Sequence, residues 1–398
     1  MDPPAKIDFS RPSNVWCLYA ALMLAAAILL LNPLVLSLVI RVSITRAAYL
    51  LFLDGFLAAI IVFCLRHLRW GQRRDLVLAI GLAALLPMAM ILIEPAIVAA
   101  RKGFAPTGAG QDAAVHQPDP LLGWQPVPGA RARHVSPGNF DVTYVIDAQG
   151  RKQIPAHPKA PRTLHFFGDS ILFGHGVAND RTALSLVADA LEGRANVVNY
   201  GVMAYGLEQM FLLLRESMEQ VQPGDAVIFA PIAEDLERNL IGKTFVCAIY
   251  EKNYAEARSF PVLEDGTWRA APIDAFCPEG DLPIALARRS LMARQRPALD
   301  QQLAANADLI FAMAAELAKE RGAAFFVLFL VRTDECDAGA FLFDLDRLET
   351  PFASLLPSCP EDPSALRFAT DRHFNEEGQR WMAAGMLEFL EREVLPAD

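Results

Sequence analysis

Ser170 stands in Phe167-Gly168-Asp169-Ser170-Ile171, directly after the short apolar run Thr163 to Phe167. A serine hydroxyl is a weak nucleophile near neutral pH and needs a base to take its proton. His373, in Asp371-Arg372-His373-Phe374-Asn375, supplies a candidate. Imidazole titrates near neutrality, and Asp371 two residues earlier can hold the ring in one tautomer. Among the other histidines, His67 lies in a basic loop, His165 in a strand, and His175 just past the serine, none with an acid so well placed. Ser170, His373 and Asp371 together are a set for nucleophilic acyl transfer.

The elements that must position them alternate. Thr163 to Phe167, Val197 to Tyr200, Ala226 to Pro231 and Ala323 to Val331 have the length and apolar content of strands. Helical stretches run from Ala183 to Leu191, Leu207 to Glu219, Ala298 to Arg321 and Glu376 to Val394. Such alternation predicts a parallel sheet covered by helices on both faces, with its site at the carboxyl ends of the strands. Ser170 falls at the end of the first strand, and a glycine before it permits a tight turn. Residues Asp119 to Ile154, with Pro126, Pro128-Gly129 and the alternation Phe140 to Ile146, predict a small β-rich lead-in. The stretch 241–292 breaks the rhythm and is expected to be an insertion that walls a groove, with Trp268, Tyr250 and Tyr254 as candidate lining. Such aromatics more often serve a core.

These motifs resemble three of the four blocks of the SGNH/GDSL hydrolases: Gly168-Asp169-Ser170 after a strand, Val198-Asn199-Tyr200-Gly201, and Asp371-x-His373 before a final helix. The resemblance covers about residues 115 to 398. It implies a flavodoxin-like α/β/α sandwich with Ser170 as nucleophile, His373 as base and Asp371 as its orienting acid. The N–H groups of Ser170 and Gly201 would form the oxyanion hole. The remaining block departs from the family. Where Gly-x-Asn-Asp is usual, the chain has Pro231-Ile232-Ala233-Glu234-Asp235, followed by Leu236-Glu237-Arg238-Asn239. An amide donates to a forming oxyanion, whereas an ionised carboxylate only accepts. Either Glu234 points away, or burial protonates it, or Arg238 or Asn239 supplies the donor, or the site is degenerate. Asp169, Glu234 and Asn239 are candidates for the substrate side of the site.

Three apolar runs precede this region: Val15 to Ile40 without charge, Ala47 to Leu65 with Asp54, and 76–100 with Glu94. Each is long enough to cross a bilayer as a helix, and a cleaved leader would not be followed by two more. The mean hydropathy of +0.25 agrees. The expected organisation is therefore a three-helix membrane region over 1–102, a Gly/Ala/Pro-rich linker over 103–117 and the hydrolase-like domain over 118–398. Arg66, Arg69, Arg73 and Arg74 in the second loop, with Lys6 and Arg11 in the tail, place those segments in the cytoplasm. The C-terminal domain then lies in the periplasm or outside, on a multi-pass protein of the inner (plasma) membrane. Cys247 with Cys277 and Cys336 with Cys359 would each close a local loop in that oxidising space.

The net charge of -10 argues against a nucleic-acid partner, since phosphate binding rests on Lys and Arg. No cofactor is expected. The chain has no metal-type Cys/His spacing and no phosphate loop, and Gly174-His175-Gly176 lacks the third glycine of a dinucleotide fingerprint. The expected function is a membrane-anchored serine esterase, with the lipid bilayer as one partner. It would remove O-acyl groups, acetyl first among them, from an extracytoplasmic glycan or other acylated carbohydrate. An O-acyltransferase working with a membrane acyl-transfer partner is the alternative. A non-catalytic glycan-binding subunit of the same fold is the third.

Overall fold

The computed structural model describes residues 11–31, 44–70, 72–85, 115–236, 238, 259–264, 267–272, 282–341 and 343–395. The chain divides into two compact units, Met1–Ala105 with Glu279–Arg288, and Pro106–Pro278 with Arg289–Asp398.

In the first unit, helices α1 (Pro12–Leu31) and α2 (Ile44–Trp70) pack through Cys17, Ala21, Ile60, Cys64 and Leu68. The two helices overlap the first two expected spans, while residues 32–40 and 86–100 of the first and third lie outside the described residues. Among the described residues no helix is long and apolar enough to cross a membrane. Polar Pro12-Ser13-Asn14 opens α1, and Arg46, Asp54, Arg66 and Arg69 interrupt α2. Trp16, Tyr19, Leu22, Met23, Val62 and Leu65 nevertheless remain exposed.

The second unit begins with two antiparallel hairpins, β1 (His116–Asp119) with β2 (Gly123–Pro126) and β3 (Arg131–Ser136) with β4 (Phe140–Val145). These are the β-rich lead-in. A five-stranded parallel sheet follows: β5 (Thr163–Gly168), β6 (Asn196–Gly201), β7 (Ala226–Ala230), β10 (Ala324–Phe329) and β11 (Ala353–Ser354). Its spatial order is β11-β10-β7-β5-β6, the flavodoxin-like arrangement, in which the chain leaves β5 outward to β6 and then crosses back to β7. Gly168 pairs with Gly201 on one side and Ala230 on the other, so three strands end at one level.

Side chains alternate across the sheet, so a strand covered on both faces is apolar throughout. Leu164 and Phe166 of β5 join Ile228, Leu328 and Met386 in one core layer, whereas Phe167, Tyr200, Phe229, Phe311 and Phe329 fill the other. Helices α4 (Ala183–Ala190) and α8 (Glu376–Phe389) cover the first layer, and α5 (Leu207–Ser217) and α6 (Leu282–Glu320) supply the second. Helix α6 starts well before the expected Ala298. Pro297 lacks an N–H and normally costs about 3 kcal/mol inside a helix, yet the helix runs through it. The described part of the expected insertion is the hairpin β8 (Ser259–Glu264) with β9 (Thr267–Pro272) and the start of α6. Trp268 of that hairpin stacks on Phe211 at 5.5 Å and so belongs to the core, while Tyr250 and Tyr254 lie outside the described residues. A disulfide joins Cys336, on helix α7 (Thr333–Ala338), to Cys359. Cys247 and Cys277 lie outside the described residues.

Glu208, in the first turn of α5, is buried, and its Oε1 accepts from Asn306 Nδ2 at 3.0 Å. Burial pushes its carboxyl up from 4.5 to about 7. Between those pH values the unfolded chain releases a proton that the folded chain retains, so folding stability falls as pH rises, by roughly 3 kcal/mol at most. Glu208→Gln removes that dependence. Denaturant melts at pH 5 and pH 8 are expected to show the variant gaining on the wild type at the higher pH.

Candidate active site

Gly168 closes β5 where no other residue fits, because a Cβ there would meet Ala230 O and Leu172 at 2.8 Å. Asp169 then caps the one-turn helix α3 (Ser170–Phe173), with Oδ1 accepting from Ile171 N at 2.8 Å. Gly174 ends the turn at a φ of +74°, which L side chains avoid. Ser170 is thus held at the sheet's carboxyl edge by a glycine on each side and a cap. Gly201 is required for the same reason of space: a Cβ would lie 2.6 Å from Phe173 N.

His373 arrives from the other end of the chain. Asn375 caps α8 by accepting from Gly378 N at 3.0 Å, and its Nδ2 donates to Ala365 O and Arg367 O at 2.8 and 2.9 Å. Thr333 Oγ1 donates to Arg372 O at 3.0 Å. These bonds fix the loop that carries Asp371 and His373.

Ser170 Oγ lies 2.8 Å from His373 Nε2, and His373 Nδ1 lies 2.6 Å from Asp371 Oδ1. The same carboxylate oxygen also accepts from His373 N at 2.9 Å. The two-residue step from Asp to His therefore lets one oxygen take both the backbone and the ring N–H. Partial burial opposes the charge on Asp371, but the bonds from His373 outweigh it and hold the carboxyl below its ordinary range. An ionised Asp371 keeps the proton on Nδ1 and leaves Nε2 as an acceptor for the serine hydroxyl.

Asp169 is fully buried. Its Oδ2 accepts from Arg238 at 3.1 Å and lies 3.3 Å from Ser170 Oγ. Arg238 also pairs with Asp235 at 2.8 Å and donates to Tyr205 O at 2.7 Å. The guanidinium is thus committed to holding Asp169 and the chain around it. Glu234 follows β7 in a short turn and is paired with Arg332, which also holds Asp334 at 2.8 Å. Asp334 in turn pairs with Arg372 at 3.0 Å, next to His373 in sequence. The Glu234 carboxylate is accordingly neutralised by a cation. Gly201 N–H donates to Asn199 Oδ1 at 2.8 Å. Asn239 lies outside the described residues.

Three neighbours escaped the sequence reading. Arg332 is the first polar residue beyond the apolar strand β10, a position the strand-end rule could have flagged. His175 was set aside for its closeness in sequence to Ser170, yet its ring lies 4.3 Å from that of His373, and its Nε2 lies 3.9 Å from Asp371 Oδ2. Burial, then repulsion from His373, lowers its pKa well below the usual imidazole value, so it is neutral at pH 7. Lys152 is buried and donates to Gly174 O and Val177 O at 2.9 and 2.8 Å, closing the loop behind Ser170. No sequence pattern marks it.

No family model matches the chain, and no curated protein matches it. Solved structures do. A member of the lipolytic G-D-S-L family from Veillonella parvula is 17% identical and aligns over 58% of this chain and 99% of its own, with a TM-score of 0.33. A lipase from a goat rumen metagenome is 11% identical over 57% and 96%, at 0.34. A mutant acetyl-xylooligosaccharide esterase from Geobacillus stearmophilus is 17% identical over 60% and 98%, at 0.26.

Removing the Arg238 guanidinium leaves Asp169 and Asp235 buried without their shared cation. Breaking such a pair from one side costs about 3–5 kcal/mol. Arg238→Ala is therefore expected to lower the thermal midpoint by several degrees. A calorimetric scan that finds no change would show that the pair contributes nothing to the fold.

Proposed function

We propose that this chain is a serine esterase whose N-terminal helices anchor it in a membrane and whose second unit faces the outer side. There it would remove O-acyl groups, acetyl first, from an envelope glycan or similar carbohydrate. The observation that carries the chemistry is the continuous chain from Ser170 Oγ to His373 to Asp371, at 2.8 and 2.6 Å. His373 Nε2 takes the hydroxyl proton as Oγ attacks the ester carbonyl, and Asp371 stabilises the imidazolium that forms. The same proton then goes to the leaving sugar oxygen, and water repeats the sequence on the acyl-enzyme.

The developing oxyanion needs donors in place before the reaction. Ser170 N–H lies in the first turn of α3, where amides have no intrahelical acceptor. Gly201 N–H is the second candidate and would exchange Asn199 Oδ1 for the oxyanion. Arg332 offsets the charge of Glu234, which otherwise would oppose that oxyanion.

Anchoring is supported by the large apolar side chains left exposed on α1 and α2. The Cys336–Cys359 disulfide suits an oxidising compartment. An enzyme tethered there would meet envelope polymers directly, which is the basis for a glycan substrate. A sugar hydroxyl in place of water would make the same acyl-enzyme a transferase.

The test follows p-nitrophenyl acetate turnover by the full chain in detergent. Ser170→Ala, His373→Ala and Asp371→Asn are each expected to lose on the order of 10³-fold or more in kcat while staying folded. A folded wild type that neither turns over the ester nor reacts with a fluorophosphonate would overturn the esterase. Acyl transfer to an added oligosaccharide in preference to water would turn it into the transferase.

A further inference from the structure

Asp371 has two carboxylate oxygens with different neighbours. Oδ1 accepts from His373, and Oδ2 faces His175 Nε2 at 3.9 Å. The three side chains offer one ligand atom each, all within 4.8 Å of one another. His175 comes from the loop after the nucleophile and His373 from the loop before α8, so no linear spacing in the sequence could reveal the cluster. The far side of His175 is fixed: Nδ1 lies 3.3 Å from Met203 Sδ, and Phe140 and His134 pack edge-on against the ring. These contacts leave Nε2 directed to the carboxylate side. The Lys152 ammonium is turned onto Gly174 O and Val177 O.

We propose that His175 Nε2, Asp371 Oδ2 and His373 Nδ1 form a three-ligand site for a divalent d-block cation, Zn²⁺ foremost, whose binding switches the nucleophile off. Two imidazoles and a carboxylate are a borderline donor set that suits zinc and leaves a fourth position for water. Zinc–nitrogen and zinc–oxygen distances of about 2.0–2.2 Å place tetrahedral neighbours roughly 3.3 Å apart. The 3.9 Å pair needs only a small closure, and the His373 ring must turn to bring Nδ1 onto the metal.

The inhibitory step balances without net proton release. In the working tautomer the ring proton sits on Nδ1 and Nε2 accepts from Ser170. Metal on Nδ1 displaces that proton to Nε2, which then can only donate to the serine oxygen. No bond to Ser170 is made, but the base is lost. The same ion draws Asp371 from its role of orienting the ring. The inhibition rests on the esterase proposed above, whereas the binding does not, so the two are measured separately.

Co²⁺ replaces Zn²⁺ as a spectroscopic probe, because tetrahedral cobalt has an intense visible absorption. In the full-length protein in detergent, the wild type and Ser170→Ala are expected to develop that band at about one equivalent, since the serine is not a ligand. His175→Phe keeps the aromatic packing against Phe140 and removes Nε2, and is expected to weaken Co²⁺ binding at least tenfold. In ester turnover, Zn²⁺ is expected to inhibit the wild type reversibly, with chelator restoring the rate. The half-inhibiting concentration should rise at least tenfold in His175→Phe, each protein being compared with its own zinc-free rate. Absence of saturable cobalt binding in folded wild type and Ser170→Ala, or equal binding in His175→Phe, would overturn the site. Saturated binding with unchanged turnover would overturn the switch. A wild type without esterase activity that still shows the His175-dependent band would leave the site standing and remove the esterase instead.

Discussion

The hydrogen bond between Ser170 and His373 joins residues 203 positions apart, and much of the second unit serves to hold its two ends at 2.8 Å. Neither end is placed by its own neighbours alone. Ser170 depends on the packing of α3 against the strand ends, which fails if Gly168 or Gly201 carries a Cβ. His373 depends on the Asn375 cap and on the bond from Thr333 to Arg372 O. The parallel sheet brings the two loops to one edge because every crossover returns the chain in the same direction.

Charge around this bond is balanced locally. Asp169, Asp235 and Arg238 are all buried, with one cation between two carboxyl groups, and burial pushes the Asp235 carboxyl well above its ordinary range. Glu234, Arg332, Asp334 and Arg372 form a second, more exposed chain. A buried carboxylate is tolerable only when paired, and each pairing also fixes a backbone segment. Arg238 ties the turn after β7 to the nucleophile loop, and Arg332 ties the end of β10 to both Glu234 and α7. Glu234 is therefore held within a chain of ion pairs rather than left uncompensated.

The strands, the lead-in and the meeting of Ser170, His373 and Asp371 were legible because they rest on local signals: apolar runs of strand length, turn residues, and a serine and a histidine beside element ends. The partners of the acidic residues were not. Arg238 was weighed as an oxyanion donor, and nothing in its neighbourhood announced Asp169, 69 residues away, as its partner. His175 failed for the opposite reason, since its nearness in sequence to Ser170 concealed that a left-handed turn at Gly174 folds it back beneath the base. Helix α6, expected from Ala298, starts at Leu282 and runs through Pro297 despite the local penalty, with its Leu303, Ala307, Ile310 and Phe311 anchored in the core downstream. Tertiary burial overrides a local penalty of that size.

The lead-in is part of the scaffold that holds Ser170 and His373 rather than a spacer. Tyr144 of β4 is fully buried and its hydroxyl accepts from Gly176 N at 2.7 Å, while Lys152 binds the carbonyls on either side of that amide's loop. The Lys152 ammonium also lies over the rings of Tyr144 and Phe173, at 4.5 and 4.6 Å. Asn139, at the tip of the β3–β4 hairpin, accepts from Thr370 N at 2.9 Å, immediately before Asp371. One hairpin thus touches both the loop that follows Ser170 and the loop that carries Asp371 and His373. A displacement of β3–β4 would move the two ends of the Ser170–His373 bond independently, so the geometry of that bond is set as much by residues 131–152 as by the sheet itself.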